Sequence, residues 1–404
     1  MRRPIPRRRE ALSLRKRLVP VSTPPAFYHP RYRNYFFGPQ HPFRPARQEM
    51  LLDLLEALGR APELSEPPPA ERADLLAVHD AAFVEAVEAA SKRSGGATGG
   101  GRYGLGRGGD TPAFEGMDAA TRLLAGGTLE AARHVAESSN KGNEGDEHAA
   151  LQLGGGLHHA HAGRASGFCV YNDLAVAILP LLEKGLRVAY LDVDVHHGDG
   201  LQSIFYRDPR VLTISLHESG RYLFPGTGFP SERGEGPGEG AAVNVPLAPH
   251  TTDESYLDAF EAVAEPAVAE FAPDALVVQC GADAHAKDPL AHLALTTRAY
   301  EDVFRRIRAL AAEHTGGRLV ATHGGGYDLD AAARVWAISY FVFSGTPLPD
   351  GPLPEAWRDR WRGTHGAEPA PTLHDSEGPD VSSEERENMR EHNRRAVEAV
   401  REGW

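Results

Sequence analysis

Short apolar runs alternate with segments of helical period along most of this chain. Apolar runs bounded by polar or glycine-rich segments are typical of buried strands, and they occur at 151–153, 188–195, 211–216, 275–280 and 319–322. Apolar residues that recur every three or four positions predict helices at 50–58, 81–90, 118–137, 172–184, 253–271, 296–310 and 384–400. Strands that alternate with helices favour a parallel sheet built through right-handed crossovers. The pattern therefore predicts an α/β fold.

Polar side chains stand where these apolar runs end. The run 188–195 carries Asp192 and Asp194 and leads into a turn that begins with His196. Side chains alternate along a strand, so these three side chains share one face. In open α/β sheets, ligands bind at the carboxyl ends of the strands. We therefore expect the polar turns that follow the strands to meet in one crevice.

A metal ion is the first ligand that this pattern indicates. A carboxylate inside an apolar strand is costly to bury unless a cation or strong hydrogen bonds compensate its charge. Asp194, His196 and Asp283 can supply three nitrogen or oxygen ligands to zinc and leave a coordination position open, as a catalytic site requires. Iron(II) accepts the same types of ligand. The alternative is an acidic, histidine-rich surface turn, which seldom interrupts so apolar a strand.

Other polar residues after the strands offer proton chemistry. His158 and His159 form a tandem pair of bases with tunable pKa values. Asp192 and Asp199 are carboxylates that can orient such rings. Tyr327 follows three glycines, so its phenol can approach a ligand closely and donate to a developing oxyanion. A phosphate loop is disfavoured because HGGGYD lacks a Walker-type lysine, and a serine triad because the chain has no GxSxG elbow.

The charge distribution narrows the range of ligands. The chain has a formal net charge of -13, although residues 1–17 hold eight Arg or Lys and one Glu. The rest of the chain is therefore acidic, which argues against nucleic acid as the main ligand and suits a cationic one. Two cysteines, Cys169 and Cys280, make neither a disulfide framework nor a cysteine zinc cluster. With no membrane-length apolar window and no signal core, the sequence predicts a cytoplasmic protein without a membrane partner.

Composition divides the chain into three parts. Residues 1–23 are rich in Arg and Pro without apolar periodicity, which predicts a disordered basic leader. Residues 24–362 form the predicted catalytic domain, which a glycine-rich loop interrupts at 94–109. Residues 363–404 form an acidic, proline-rich tail that includes the predicted helix at 384–400. None of these features specifies an oligomeric state.

Six ordered motifs give the chain a resemblance to a known family. They are GGGLHHA, ASGFCVYNDLAVAI, DVDVHHGDG, ISLHE followed by FPGTG, QCGADAHAKDPL and GGGYD, within residues 26–345. These motifs resemble the histone deacetylase superfamily, in particular its class I type and the bacterial acetoin utilization lysine deacetylases. The resemblance implies an arginase/deacetylase-like single α/β domain with a central eight-stranded parallel sheet flanked by helices. It also implies an active site at the carboxyl ends of the strands.

The resemblance assigns roles to particular residues of this chain. The family's zinc ligands correspond to Asp194, His196 and Asp283. Its tandem histidines and their carboxylate partners correspond to His158 with Asp192 and His159 with Asp199. The tyrosine that polarises the substrate carbonyl corresponds to Tyr327. The walls and rim of its acyl-lysine tunnel correspond to Asp110, Gly167, Phe168, Phe224 and Leu290.

The resemblance also implies a structural potassium ion beside the strand at 188–195. Its ligands would be backbone oxygens of Asp192, His196 and Leu216 with the side chains of Asp194 and Ser215. A second potassium ion would lie around Phe205 and Val211. Asp208 departs from the threonine expected there, and His323 departs from the first glycine of what is commonly a GGGG run.

The predicted function is zinc-dependent hydrolysis of N-epsilon-acetyl-lysine in proteins, with acetate and lysine as products. His159 would take a proton from water as general base, and Tyr327 would donate to the oxyanion. Either His159 or His158 would then protonate the leaving amine. The implied partners are an acetylated protein or peptide and, from the acetoin utilization enzymes, acetyl-CoA synthetase. Two alternatives stay open: an acetylpolyamine amidohydrolase, suggested by the acidic body, and a non-catalytic acyl-lysine binding protein.

Overall fold

The chain folds around one parallel sheet. The computed structural model describes residues 23–92, 100–106, 109–138 and 148–403. The strands of the sheet are β1 (Ala26–Phe27), β2 (Leu64–Ser65), β3 (Ala149–Gln152), β4 (Val188–Asp192), β5 (Val211–Glu218), β6 (Ala242–Leu247), β7 (Ala275–Cys280) and β8 (Leu319–His323). They pair in the order β2-β1-β3-β8-β7-β4-β5-β6, and every pairing is parallel. The predicted single α/β domain with an eight-stranded parallel sheet is confirmed. Residues 1–22 of the predicted leader and half of the predicted glycine-rich loop lie outside the described residues.

Helices cover both faces of this sheet. They are α1 (Ala46–Ala57), α2 (Arg72–Leu76), α3 (Ala81–Ser91), α4 (Met117–Glu137), α5 (Asp173–Glu183), α6 (Asp199–Phe205), α7 (Asp253–Ala259), α8 (Glu265–Phe271), α9 (Thr297–His314), α10 (Leu329–Phe343), α11 (Glu355–Trp361) and α12 (Ser383–Glu402). Tyr190 of β4 belongs to the buried cluster that contains Ile178 of α5. The next residue, Leu191, belongs to the cluster that contains Phe304 of α9 and Trp336 of α10. Alternate side chains of the strands therefore pack into two apolar layers. None of the helices described here has the length and apolar character needed to cross a membrane.

Several elements differ from the pattern-based prediction. The strands β1 and β2 have two residues each, too few to give a periodic signal. Pro246 lies inside β6, where it is tolerated because β6 is an edge strand of the sheet. The predicted helix at 253–271 is divided into α7, a π-helical turn at Phe260–Ala264, and α8. This turn comes just before Pro266, which lacks the N–H that a regular helix would use.

The C-terminal segment packs against the sheet domain. Its helix α12 lies on β6 and α7, and Asn393 accepts from the backbone N–H of Ala248 at 2.8 Å. The same side chain donates to the hydroxyl of Thr251 at 2.8 Å. Upstream of α12, the Asp375 carboxylate lies 2.9 Å from the guanidinium of Arg334, which is fully buried in α10. The C-terminal helix predicted from the sequence is thus present, and buried polar contacts hold it.

Candidate active site

The chain leaves the sheet after β4 because carboxylate side chains, instead of a neighbouring strand, accept hydrogen bonds from the backbone N–H groups that follow. The strand predicted at 188–195 ends at Asp192. The Asp192 carboxylate accepts from the Asp194 N–H at 3.1 Å, and the Asp194 carboxylate accepts from the His196 N–H at 3.0 Å. Such bonds compete with regular strand pairing. The Val195 N–H donates to Asp283 at 2.9 Å, so the segment turns toward the end of β7.

The structure brings together the three candidate metal ligands, Asp194, His196 and Asp283. One ligand atom from each lies within 4.8 Å of the others, and all three residues are buried. His196 Nδ1 is 3.1 Å from an Asp194 oxygen and 3.2 Å from an Asp283 oxygen. A side chain in place of Gly325 would collide with both carboxylates, so glycine is required beside this cluster. The Gln279 amide donates to Asp194 at 2.6 Å and fixes its second oxygen.

The electrostatics of this cluster favour a bound cation. Burial, with the Asp194 charge beside it, raises the pKa of Asp283 to about 6. Burial disfavours a charged His196 ring, yet the two carboxylates outweigh this and raise its pKa well above the usual value. Two carboxylates and one imidazole bury an excess of negative charge, and they form an oxygen and nitrogen donor set that suits zinc or iron(II). The residues present therefore fit a catalytic metal.

The first tandem histidine, His158, is held by a fully buried carboxylate. His158 Nδ1 lies 2.7 Å from Asp192, which also accepts from the hydroxyl of Tyr190 at 2.6 Å. His158 Nε2 lies 3.8 Å from Asp194. Burial disfavours a charged ring, but the carboxylates of Asp192 and Asp194 outweigh it and raise the pKa of His158 to about 9. The two carboxylates therefore favour the protonated form of the His158 ring.

The second tandem histidine, His159, has the opposite character. His159 Nδ1 lies 2.8 Å from Asp199, and its Nε2 lies 3.0 Å from His158 Nε2. Burial and the positive charge of His158 lower the pKa of His159 to about 3. Asp199 has a depressed pKa, since its bonds to His159 and His161 outweigh its burial, so it is an anion. His159 is therefore neutral, with Nδ1 donating to Asp199 and a lone pair on Nε2.

Tyr327 is placed by two residues that the sequence reasoning did not single out. The buried Arg47 of α1 donates through Nη1 to the carbonyl oxygens of Gly324 at 3.2 Å and Gly326 at 2.8 Å. The Asp288 carboxylate accepts from the Tyr327 N–H at 2.7 Å. Burial, together with the two carboxylates of the metal cluster, raises the pKa of Tyr327 well above its usual value. The phenol therefore keeps its proton and can serve as a hydrogen-bond donor.

His323, the departure from a glycine run, is a core residue. Its buried ring stacks on Trp336, with centroids 4.7 Å apart and 5° between the planes. Its Nε2 lies 3.3 Å from the Ser339 hydroxyl, and the Trp336 indole donates to the Cys280 carbonyl at 3.0 Å. Burial, with the nearby charge of Arg47, lowers the pKa of His323 to about 3, so the ring is neutral. His323 joins β8 to α10 through this stack.

The residues predicted to line a tunnel lie around the tandem histidines and Tyr327. The rings of Phe168 and Tyr327 meet edge to face with centroids 5.8 Å apart, and Phe224 meets His159 at 5.0 Å. Gly167 has a φ of 54°, and a side chain there would collide with His159, which explains the glycine. The two remaining predicted residues, Asp110 and Leu290, form hydrogen bonds to neighbouring loop residues. Asp110 accepts from the Gly167 N–H at 2.9 Å, and the Leu290 N–H donates to Asp288 at 2.9 Å.

The residues implied in potassium binding lie on β4, β5 and the turns that follow them. Asp192 and Ser215 are register partners on these strands, and the Ser215 hydroxyl lies 2.8 Å from His217 Nδ1. The residues implied for a second ion are the last residue of α6 and the first of β5. Between them, Asp208 forms an ion pair with Arg210 at 2.6 Å. Both potassium sites stay predictions.

Sequence reasoning missed five residues that shape this site: Arg47, His161, Tyr190, Gln279 and Asp288. Tyr190 and Gln279 carried a usable signal, because each is a polar group within an apolar strand. Arg47 and Asp288 carried none, because their partners lie on distant parts of the chain.

Comparison with known proteins agrees with this geometry. The family model described as a histone deacetylase domain matches residues 41–341. The acetoin utilization protein AcuC of Bacillus subtilis (strain 168) is 43% identical over 339 residues, which cover 83% of this chain and 85% of that protein. The AcuC protein of Staphylococcus xylosus is 36% identical over 332 residues, covering 81% of this chain and 84% of that protein.

Solved structures share the fold over nearly the whole chain. The crystal structure of an HDAC homolog complexed with SAHA has a TM-score of 0.80 and 28% identity, covering 93% of this chain and 100% of that chain. The HDAC homolog from Aquifex aeolicus has a TM-score of 0.78 and 28% identity, covering 92% and 100%. Similarity to a family of metal-dependent hydrolases thus agrees with the presence of the buried Asp-His-Asp cluster. The chain belongs to the histone deacetylase family and is an AcuC-like hydrolase.

Proposed function

We propose that this protein is a zinc-dependent lysine deacetylase that hydrolyses N-epsilon-acetyl-lysine in proteins or peptides. One observation carries the proposal: two adjacent histidines are bonded to two different carboxylates beside the three-residue metal cluster. This arrangement supplies metal ligands, a neutral base and a cationic donor within one buried site. A protein that only bound acyl-lysine would have no use for two imidazoles with opposite charge preferences.

Metal ligands and Tyr327 together prepare the amide for attack. Asp194, His196 and Asp283 would hold the zinc ion. When bound, the ion would polarise the amide carbonyl and acidify a water molecule at the open coordination position. Tyr327 donates its phenol hydrogen to the carbonyl oxygen as negative charge develops there. Arg47 and Asp288 bind the carbonyl oxygen and the N–H of the peptide group between Gly326 and Tyr327, so the donor is oriented before the substrate binds.

The two histidines divide the proton transfers between them. His159 is neutral, so its Nε2 can exchange its 3.0 Å contact with His158 for the attacking water and take a proton from it, while Asp199 stabilises the resulting imidazolium. His159 then holds the proton that the lysine nitrogen needs when the amide C–N bond breaks. Asp192 favours a protonated His158, which would face the developing negative charge from the other side. A cation on Asp194 would lower the pKa of His158, because the Asp194 charge helps to raise it.

The surroundings of the site suit a long aliphatic side chain. Phe168 and Phe224 place aromatic rings beside Tyr327 and His159, and Phe224 is 42% exposed at the surface. Aromatic walls of this kind bury a lysine stem and leave its acyl amide at the polar end. Acetyl-CoA synthetase is the protein substrate that we propose from the resemblance to acetoin utilization enzymes.

Acetate release from an acetyl-lysine peptide tests the proposal. We expect metal-replete protein to release acetate, a chelator to abolish the release, and added zinc to restore it. Reconstitution with iron(II) without oxygen, in parallel with zinc, identifies which metal supports turnover. Metal-replete protein that releases no acetate would contradict the proposal. Turnover of acetylputrescine far above that of the peptide would favour an acetylpolyamine amidohydrolase instead.

A further inference from the structure

His161 ends a hydrogen-bonded chain that leads from His159 toward solvent. One Asp199 oxygen lies 2.8 Å from His159 Nδ1, and the other lies 3.1 Å from His161 Nε2. The same Nε2 lies 2.8 Å from Arg164 Nη2, and His161 Nδ1 lies 2.9 Å from the Ser203 hydroxyl. The His161 side chain is 19% exposed, so the ring can exchange protons with water.

Ser203 fixes the role of one nitrogen of His161. The Ser203 hydroxyl donates to the Gly200 carbonyl at 2.7 Å, so it accepts a hydrogen bond from His161 Nδ1. Nδ1 therefore carries a hydrogen in both charge states of the ring, and only Nε2 changes on titration. A neutral Nε2 accepts from Arg164 and repels the Asp199 carboxylate. A protonated Nε2 donates to Asp199 and conflicts with the Arg164 donor.

Building on the proposed function, we propose that His161 is a positioning residue that tunes the general base His159 through Asp199. Protonation of His161 exchanges its Arg164 contact for a hydrogen bond to Asp199. An Asp199 carboxylate engaged by cationic His161 attracts the Nδ1 hydrogen of His159 less strongly. His159 Nε2 is then a weaker base, and the proton transfer from water slows. When His161 is neutral, Asp199 accepts a hydrogen bond from the His159 ring only, and His159 Nε2 is the stronger base.

Two other titratable side chains near His161, those of Glu232 and His197, are hydrogen-bonded to other residues. A cleft of about 560 Å³ beside His161 is also lined by Arg164, His197, Asp199, Tyr206 and Glu232. Glu232 accepts from the Gln202 amide at 3.0 Å and from backbone N–H groups of its own loop. His197 is bonded to Thr227 and Gln202. His79 touches His161 only through the backbone carbonyl, at 3.0 Å. Arg164 and Asp199 are thus the charged groups that compete for the His161 ring.

The pH dependence of kcat and KM for acetyl-lysine peptide hydrolysis tests this role. In the wild type we expect kcat to fall about threefold as His161 becomes protonated, because the coupled change in basicity is transmitted only in part to the rate. The variant His161→Gln keeps a donor for Asp199 but cannot titrate, so this step disappears. His161→Lys places a permanent cation beside Asp199 and keeps the lower rate across the pH range. KM should stay nearly constant, since the expected effect is on the proton transfer and not on substrate binding.

Arg164→Met is the matched variant, because it removes the competing donor and leaves His161 and Asp199 in place. Loss of the Arg164 charge and its hydrogen bond favours protonated His161, so the step in kcat moves to higher pH. A His161→Gln profile that superposes on the wild-type profile overturns the proposal. If the wild type releases no acetate at any pH, the proposed function fails instead. Site-resolved ¹⁵N NMR of His161 then still tests the exchange of partners. The exchange is overturned if Arg164→Met leaves the titration midpoint of His161 unchanged.

Discussion

The two histidine and carboxylate pairs of this site share their chemistry and differ in their surroundings. His158 and Asp192 are joined at 2.7 Å, and the second donor to Asp192 is the buried hydroxyl of Tyr190. His159 and Asp199 are joined at 2.8 Å, and the second partner of Asp199 is a titratable ring at the surface. Asp192 has no exposed area, whereas Asp199 is 8% exposed. One pair is therefore closed by a tyrosine, and the other is open to solvent through a histidine.

This difference shows how adjacent identical residues acquire opposite protonation states. His158 lies near two buried carboxylates, which raise its pKa to about 9. His159 is bonded to one carboxylate and lies 3.0 Å from the charged His158 ring, and its pKa is about 3. Burial, together with the charge on the first ring, keeps the second ring neutral. The pair can thus provide a cation and a base at the same pH.

Removal of each ring in turn is the strongest test of this division. We expect His159→Ala to lower kcat about 1000-fold, because a general base contributes roughly 10²–10⁴ to the rate. His158→Ala should cost about tenfold to 100-fold, since it removes a cation near the transition state but leaves the base. Steady-state kinetics at equal zinc content measures both effects. Equal losses in the two variants would show that the rings do not divide the work.

Substitution of Asp192 should mainly lower the stability of the fold, whereas substitution of Asp199 should mainly lower the rate of hydrolysis. Asp192→Asn breaks a buried charge pair, and we expect it to lower the free energy of unfolding by about 3 kcal/mol. Asp199→Asn should cost about 1 kcal/mol in stability, because neutral His159 can still donate its Nδ1 hydrogen to the amide oxygen that replaces the carboxylate, while it lowers kcat more steeply than KM rises. Urea unfolding and peptide hydrolysis measure the two quantities. A larger stability loss in Asp199→Asn than in Asp192→Asn would contradict the contrast between a closed and an open pair.

The loop that carries both histidines should lose stability in acid through His79. Its Nδ1 donates to the carbonyl oxygens of His161 and Ala162, and its Nε2 accepts from the Asn172 N–H at 3.1 Å. Burial lowers the pKa of His79 from 6.5 to about 4, so the unfolded state binds a proton at a pH where the folded state does not. Stability from this group is complete above pH 6.5 and is lost as the pH falls toward 4.

This contribution amounts to about 2 kcal/mol between pH 8 and pH 5. His79→Gln, which cannot titrate, should unfold with a correspondingly flatter pH dependence in urea. A variant that keeps the full wild-type slope between pH 6.5 and pH 4 would exclude His79 as its source.

Residues directly after long strands were predictable, and residues that reach the site from other elements were not. Asp194 and Asp283 follow β4 and β7, and the carboxyl ends of parallel strands meet at one edge of a sheet. Arg47 lies on α1, where a cation in a helix gives no sign that its partners are carbonyl oxygens after β8. Asp288 reads as part of a turn until Tyr327 is placed beside it. Local pattern fixes where a side chain stands along an element, whereas these contacts depend on how elements pack.

The same limit applies to the tandem histidines. Their sequence offers two equivalent bases, and the family resemblance names Asp192 and Asp199 as their partners. Neither shows that Tyr190 closes one pair while His161 opens the other, because both contacts depend on side-chain positions in three dimensions.

Tyr190→Phe should give the smallest effect and is the finest test of the closed pair. The variant removes only the hydroxyl that donates to Asp192 at 2.6 Å. A hydrogen bond to a buried carboxylate stabilises a fold by about 1.5 kcal/mol, and we expect a loss of this size in urea unfolding. His158 then remains the side-chain donor to that Asp192 oxygen, so the ring holds its proton at least as firmly, and kcat should change less than about threefold. A large fall in kcat without loss of stability would mean that the tyrosine tunes the chemistry directly, and that the closed pair, too, transmits protonation to the reaction.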